Sequence, residues 1–257
     1  MKNDLAKLNL KGNVKSTFEK SFRVIRTEGD NFEKGESIEN GTNLYFEMGY
    51  PYLLFNEEGN IIEKIFNSEK VTLKYNLDKQ KILESRRFKN ESWNIDNEFI
   101  YDEEGVLIKY LSKKNEEITF SINYIRDKDK PKEVVRINRN KEGEEVSRFY
   151  DKYDEHGNLI EEFSSYEKRF YVYNENGLRQ QYLIKDLGGK LKVNIIYKYD
   201  EHKNLIESNI LDLDSKKENV YRYKYKYDSH NNWIEKVFFS QNNRPESLTT
   251  RKIEYYK

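Results

Sequence analysis

The chain has 257 residues, 36% of them charged and 36% hydrophobic, with a mean hydropathy of −1.03. Its 46 basic residues balance 46 acidic ones, so no net field points to nucleic acid or an anionic membrane, and partners must be recognised by local surface. The absence of cysteine excludes disulfides, thiolate nucleophiles and thiolate metal sites.

The opening Met1-Lys2-Asn3-Asp4-Leu5-Ala6 holds no apolar run of the length a signal peptide or a membrane-spanning helix needs. The expectation is a soluble, cytoplasmic protein without membrane insertion. The alternative is an exported or surface lipoprotein. Residues 1–10 predict a short helical turn, and Gly12 opens a first strand that alternates through Val14, Ser16 and Phe18. From Arg26 to Gly41 the chain is charged and reads as a long hairpin loop. Residues 1–50 are therefore expected to form an N-terminal cap and first hairpin, and residues 51–257 one continuous array.

That array rests on a repeated sentence, clearest at Tyr153-Asp154-Glu155-His156-Gly157-Asn158-Leu159-Ile160-Glu161. An aromatic ends one strand, Asp154 can accept from backbone two residues on, and Gly157 can take the left-handed conformation that closes a type I turn with a bulge. Variants are anchored at Phe55, Tyr75, Tyr101, Tyr173, Tyr199 and Tyr227, with a degenerate copy near Tyr124. Asn231, and less comfortably Lys79 and Lys203, stand at the glycine position. Between anchors lie more variable turns, such as Asn67-Ser68-Glu69-Lys70 and Asp186-Leu187-Gly188-Gly189, so each unit is a hairpin.

Before each anchor the strand alternates, as in Phe99 and Tyr101, Tyr171 and Tyr173, or Tyr225 and Tyr227, which is the period of a half-buried strand. The fold class read from this is all-β, an antiparallel array of about fifteen strands forming a curled, extended sheet or incomplete barrel. The Tyr-Asp motif with its glycine turn, repeated over roughly residues 50–240, resembles the bacterial YD-repeat proteins, relatives of the RHS-repeat chains of toxin shells. The start Leu10-Lys11-Gly12-Asn13-Val14-Lys15-Ser16 resembles the opening of small members of that group. The resemblance implies successive hairpins with binding or enclosure roles and carries over no catalytic residues.

Sites of chemistry are sparse. No phosphate loop, nucleophile elbow or metalloprotease motif appears, and Glu161 and Glu162, adjacent on a strand, point to opposite faces. His156, His202 and His230 share one turn slot that could align into a metal row. Glu58, Glu104 and Asn176 fill the same slot elsewhere, so it reads as tolerant of any polar residue. The run Tyr221-Arg222-Tyr223-Lys224-Tyr225-Lys226-Tyr227 interleaves aromatics and cations, but its alternation separates them onto two faces. No enzyme, cofactor, metal or nucleic acid is expected.

The strongest signal lies on the face opposite the repeated tyrosines. That face is mostly polar, yet Tyr150, Phe170, Val172 and Ile196 give neighbouring units an apolar stretch there. Such a patch marks an interaction site. The function expected is a non-enzymatic protein-binding module, of immunity or adaptor type beside a toxin, with a carbohydrate-binding surface protein as the alternative.

Overall fold

The computed structural model describes residues 3–26, 32–38, 52–66, 69–76, 81–89 and 94–257. The repeated turn forms as its chemistry dictates. Asp154 Oδ1 accepts from His156 N at 2.9 Å and from Asn158 N at 2.8 Å, and Gly157 stands at φ +79°. Opposite it the ladder shifts register between Lys152 and Tyr153, which is the bulge. The same caps recur at Asn174, Asp200 and Asp228. Lys203 and Asn231 occupy the left-handed position at φ 68° and 60°. Lys79, Asn67 and Ser68 lie outside the described residues.

One helix, α1 (Asp4–Lys7), precedes nineteen strands among the described residues. These are β1 (Val14–Arg26), β2 (Phe32–Ser37), β3 (Tyr52–Phe55), β4 (Ile61–Phe66), β5 (Glu69–Asn76), β6 (Lys81–Lys89), β7 (Asn94–Tyr101), β8 (Leu107–Lys114), β9 (Glu117–Asp127) and β10 (Lys130–Arg139). There follow β11 (Glu145–Tyr153), β12 (Leu159–Phe163), β13 (Glu167–Tyr173), β14 (Arg179–Asp186), β15 (Leu191–Tyr199), β16 (Leu205–Asp212), β17 (Lys217–Tyr227), β18 (Trp233–Phe239) and β19 (Pro245–Tyr255).

The fold is all-β and antiparallel, as the alternation predicts. The finer expectation, a curled sheet or incomplete barrel, left out the part that β1 plays in the pairing. In the first unit β3 to β6 and β17 to β19 are hydrogen-bonded in chain order, as are β7 to β15 in the second, and β1 pairs with β19 on one edge and with β3 and β2 on the other. Strand β1 runs 13 residues and so carries partners on both edges. Phe32–Ser37, read as loop, is a strand for the same reason.

The chain divides into two compact units, one of Met1–Asn94, Tyr199–Glu207 and Tyr221–Lys257, the other of Ile95–Lys198 and Ser208–Val220. In the first, Leu5, Leu10, Val14, Leu53 and Phe55 form a buried cluster against Ile61, Ile253 and Tyr255. A second cluster joins Val237, Phe239 and Leu248, with Val24 against it.

The first unit also shows what the repeated Tyr-Asp pair does. Tyr255 Oη donates to Asp228 Oδ2 at 2.5 Å and Tyr227 Oη to Asp200, so each tyrosine satisfies the carboxylate of the preceding repeat. Where the motif is degenerate, at Phe55-Asn56, the carboxylate comes from elsewhere. Asp4 of α1 accepts from Tyr75 Oη at 2.8 Å and from Ile61 N at 3.0 Å. Residues 3–11 thus form a strap over three turns. Asn3 Nδ2 donates to Glu58 O at 2.7 Å, Leu5 N to Gly59 O at 3.0 Å, and Asn9 Nδ2 to His202 O at 2.6 Å. Asn232 grips Lys11 from both sides, its Oδ1 accepting from Lys11 N and its Nδ2 donating to Lys11 O, each at 2.8 Å.

Candidate functional site

The second unit carries the candidate residues, and strand register decides which of them meet. On the face opposite the tyrosines, Ile125, Val135, Tyr150 and Phe163 stand directly across from one another on β9, β10, β11 and β12. One step along the strands, Glu133, Lys152, Glu161, Phe170 and Leu183 form the next row. A further step places Val172 opposite Gln181 and Gln181 opposite Ile196.

Tyr150, Phe170, Val172 and Ile196 therefore share one face but not one contact. Tyr150 is 51% exposed and Val172 and Ile196 each 42%, while Phe170 is half-buried. At about 4.8 Å each, the four strand spacings from β11 to β15 separate Tyr150 from Ile196 by roughly 20 Å. Phe170 does meet the aromatic row, its ring edge-on to Phe163 at 5.9 Å. Gln181 separates Val172 from Ile196.

The aromatic row opens into a cavity of about 610 Å³ lined by Ile125, Val135, Tyr150 and Phe163, with Lys130, Glu133, Lys152 and Glu161 around them. The surrounding charges pair with each other, Lys130 with Glu133 at 3.4 Å and Lys152 with Glu161 at 3.8 Å. Ile125, Val135 and Phe163 were missed by sequence reasoning. Each sits one residue out of phase with the tyrosine face, but only the cross-strand register brings them beside Tyr150.

The tyrosine face of the same unit holds an ion network that the sequence pattern also missed. Asp151 and Glu162 lie directly opposite each other, a like-charge pair that would repel. Arg136 resolves the repulsion by bonding both carboxylates, with Nη2 at 3.1 Å from Asp151 Oδ1. Arg169 adds a bond to Glu162 at 2.8 Å and one to Glu167 at 2.6 Å. Burial pushes the Asp151 carboxyl up, against the pull of Arg136. Glu161 points to the opposite face, as the alternation predicts, and pairs with Lys152.

The histidine slot does not build a row of ligands. His202 packs its ring on Tyr227 and His230 on Tyr255, each at 4.3 Å between centroids, and His156 is exposed. Among the described residues no group of three or more His, Asp or Glu side chains is placed to hold a metal ion. In β17, Tyr223 is buried while Lys224 and Lys226 are exposed, with Lys226 paired to Glu235 at 2.7 Å.

No family model and no curated protein matches the sequence. Among solved structures, a porin-like protein from Bacteroides vulgatus is similar over 96% of this chain and 99% of its own, at 10% identity and a TM-score of 0.39. A porin-like protein from Bacteroides uniformis is similar over 66% of this chain and 96% of its own, at 12% identity and a TM-score of 0.27. The Photorhabdus luminescens Tc holotoxin pore is similar over 86% of this chain and 14% of its own, at 13% identity and a TM-score of 0.27.

Two expectations are corrected here, the cytoplasmic location and the exclusion of membrane insertion. Both rested on the lack of a long apolar stretch, and among the described residues no helix is long and apolar enough to cross a membrane. That test says nothing of a chain built from strands. The described chain is built of strands, so the lack of an apolar helix is no ground for either statement, and both are withdrawn.

Proposed function

We propose that this chain is a non-enzymatic protein-binding module whose partner places an apolar or aromatic side chain in the cavity around Tyr150 and Phe163. The observation that carries the reading is the row Ile125, Val135, Tyr150 and Phe163, which leaves Ile125 and Tyr150 more than half exposed in a concave site. Burying such aromatic and aliphatic surface is what anchors an interface. Its two lysines, Lys130 and Lys152, are paired with Glu133 and Glu161, so a phosphate gains little from them, whereas an apolar anchor gains its full burial. Such a module serves as an adaptor or, beside a toxin, as an immunity-type protein, and the identity of the partner separates these.

The test is affinity capture with wild type and Tyr150→Ala in parallel, followed by titration of the captured protein. Tyr150→Ala is expected to weaken binding about 30-fold, the 2 kcal/mol of an interface anchor, with little change in unfolding midpoint. A partner bound equally by both proteins refutes the site. Glycan binding that only the wild type retains replaces the protein-binding reading with the carbohydrate one.

A further inference from the structure

Register sets three like-charge pairs directly opposite each other in the ladders from β9 to β15, Asp151 with Glu162, Glu167 with Asp186, and Lys168 with Lys185. Like charges so placed repel. The two acidic pairs lie on the tyrosine face, and each of their carboxylates has a cation. Arg136 serves Asp151 and Glu162, Arg169 serves Glu162 and, at 2.6 Å, Glu167, and Lys192 lies 3.9 Å from Asp186. The basic pair lies on the opposite face, and among the described residues neither lysine forms an ion pair.

Its position ties it to the cavity. Lys168 stands directly across from Phe163, so the row Ile125, Val135, Tyr150 and Phe163 continues into Lys168 and then Lys185. Lys168 Nζ lies 5.9 Å from the centre of the Phe163 ring, and Lys185 Nζ 4.9 Å from that of Phe170. The ring faces attract a cation but carry no net charge, so they soften the repulsion without cancelling it. The acidic residues of the neighbouring row, Glu133 and Glu161, are committed to Lys130 and Lys152. Two positive charges therefore stand at the end of the aromatic row with no counter-charge from the chain.

We propose that Lys168 and Lys185 receive a carboxylate of the partner protein, an aspartate or glutamate on the same segment as the apolar residue that fills the cavity around Tyr150. The assignment rests on that cavity being the partner's seat. One carboxylate between two ammonium groups removes their repulsion and accepts charge-assisted hydrogen bonds from both. The strands also set the spacing. The middle of the cavity lies between Val135 on β10 and Tyr150 on β11, and the lysine pair spans β13 and β14, three strand spacings on, about 14 Å. An extended segment crossing the strands covers that distance in about four residues.

The probe is a library of random twelve-residue peptides displayed on phage and selected on the immobilised full-length chain. Enriched peptides are expected to carry an aromatic or aliphatic residue with aspartate or glutamate about four positions away. As synthetic peptides they should lose at least ten-fold in affinity on Lys168→Gln with Lys185→Gln, and as much on Tyr150→Ala. The unfolding midpoint of the double glutamine variant should equal or exceed that of wild type, because a repulsion has been removed. The same selection on Lys168→Glu with Lys185→Glu should enrich lysine or arginine in place of the acid. The proposal is overturned by peptides without an acidic preference, by equal binding to wild type and the double glutamine variant, or by failure to enrich any peptide. A lowered midpoint would assign the lysine stems to packing on the two rings and overturn it too. Peptides that need Tyr150 but not the lysines would remove the acidic partner and leave the cavity standing, whereas peptides that need neither would refute both.

Discussion

Asp4→Ala tests whether the strap completes the repeat lattice or merely lies on it. Asp4 supplies the carboxylate that Asn56 cannot, accepting from Ile61 N at 3.0 Å and Tyr75 Oη at 2.8 Å. Hydrogen bonds to a charged acceptor contribute about 1.5–3 kcal/mol each. The Lys7 contact at 3.0 Å adds little, because the Lys7 side chain is 58% exposed. Removal of the carboxylate should therefore cost about 3 kcal/mol, a large share of the ~5–15 kcal/mol available to a folded domain. Urea unfolding at neutral pH measures it, and Tyr75→Phe in both backgrounds isolates the pair. A loss below about 0.5 kcal/mol, or a Tyr75→Phe effect identical with and without Asp4, would refute the reasoning. The acid limb gives a second reading. Burial alone would raise the Asp4 carboxyl, but the Ile61 N–H, Lys7 and the Tyr75 hydroxyl outweigh it and hold the group below its ordinary 3.8. A depressed carboxylate stabilises above the unfolded value and loses that contribution as pH falls through the folded one. Wild type and variant should accordingly differ fully at neutral pH and converge as pH drops below 3.8.

Lys203→Gly should stabilise the chain by up to about 1 kcal/mol, because Lys203 sits at φ 68° where glycine carries no steric cost, and a lowered thermal midpoint would contradict this. The alkaline limb should also be steep. Burial, reinforced by Glu162 beside Tyr171 and by the hydrogen bond to Asp228 at Tyr255, pushes both phenols up to about 12, so their contribution is complete below pH 10 and lost between pH 10 and 12. Tyr255→Phe, which cannot titrate, should flatten that limb, and an unchanged pH profile would count against the Tyr255–Asp228 bond as its cause.

The parts of this fold legible in the sequence are those decided within five residues. The Asp154 side chain reaching His156 N, the left-handed Gly157 and the half-buried tyrosines follow from local geometry, and the structure has them in place. The pairing of β1 was not legible, because its partners Tyr255 and Leu54 are far away in the chain and its own alternation looks the same with one neighbour or two. The role of Asp4 was hidden for the same reason. Nothing near Asp4 announces that a phenylalanine at position 55 and an asparagine at position 56 leave Tyr75 in need of an acceptor. Among the candidate binding residues, alternation placed Tyr150, Phe170, Val172 and Ile196 on one face correctly, but their separation depends on cross-strand register, which no single strand encodes.

Register is also where the two faces of the second unit depend on each other. A buried ion network is weak evidence for stability, since desolvation offsets much of its attraction, and the raised Asp151 carboxyl shows that cost. Its geometry, however, opposes sliding. A one-residue slip of β11 against β10 would turn Asp151 to the other face and leave the Arg136 guanidinium among tyrosines without that carboxylate, a loss of about 3–5 kcal/mol for a buried charge deprived of its partner. A slip of β12 would remove Glu162 from both Arg136 and Arg169 in the same way. The register the network enforces is the one that sets Val135 against Tyr150 and Tyr150 against Phe163. The charged residues on the tyrosine face thereby fix which apolar residues meet on the other, and a row that tolerates half-exposed aromatics is held in line by contacts it does not itself make.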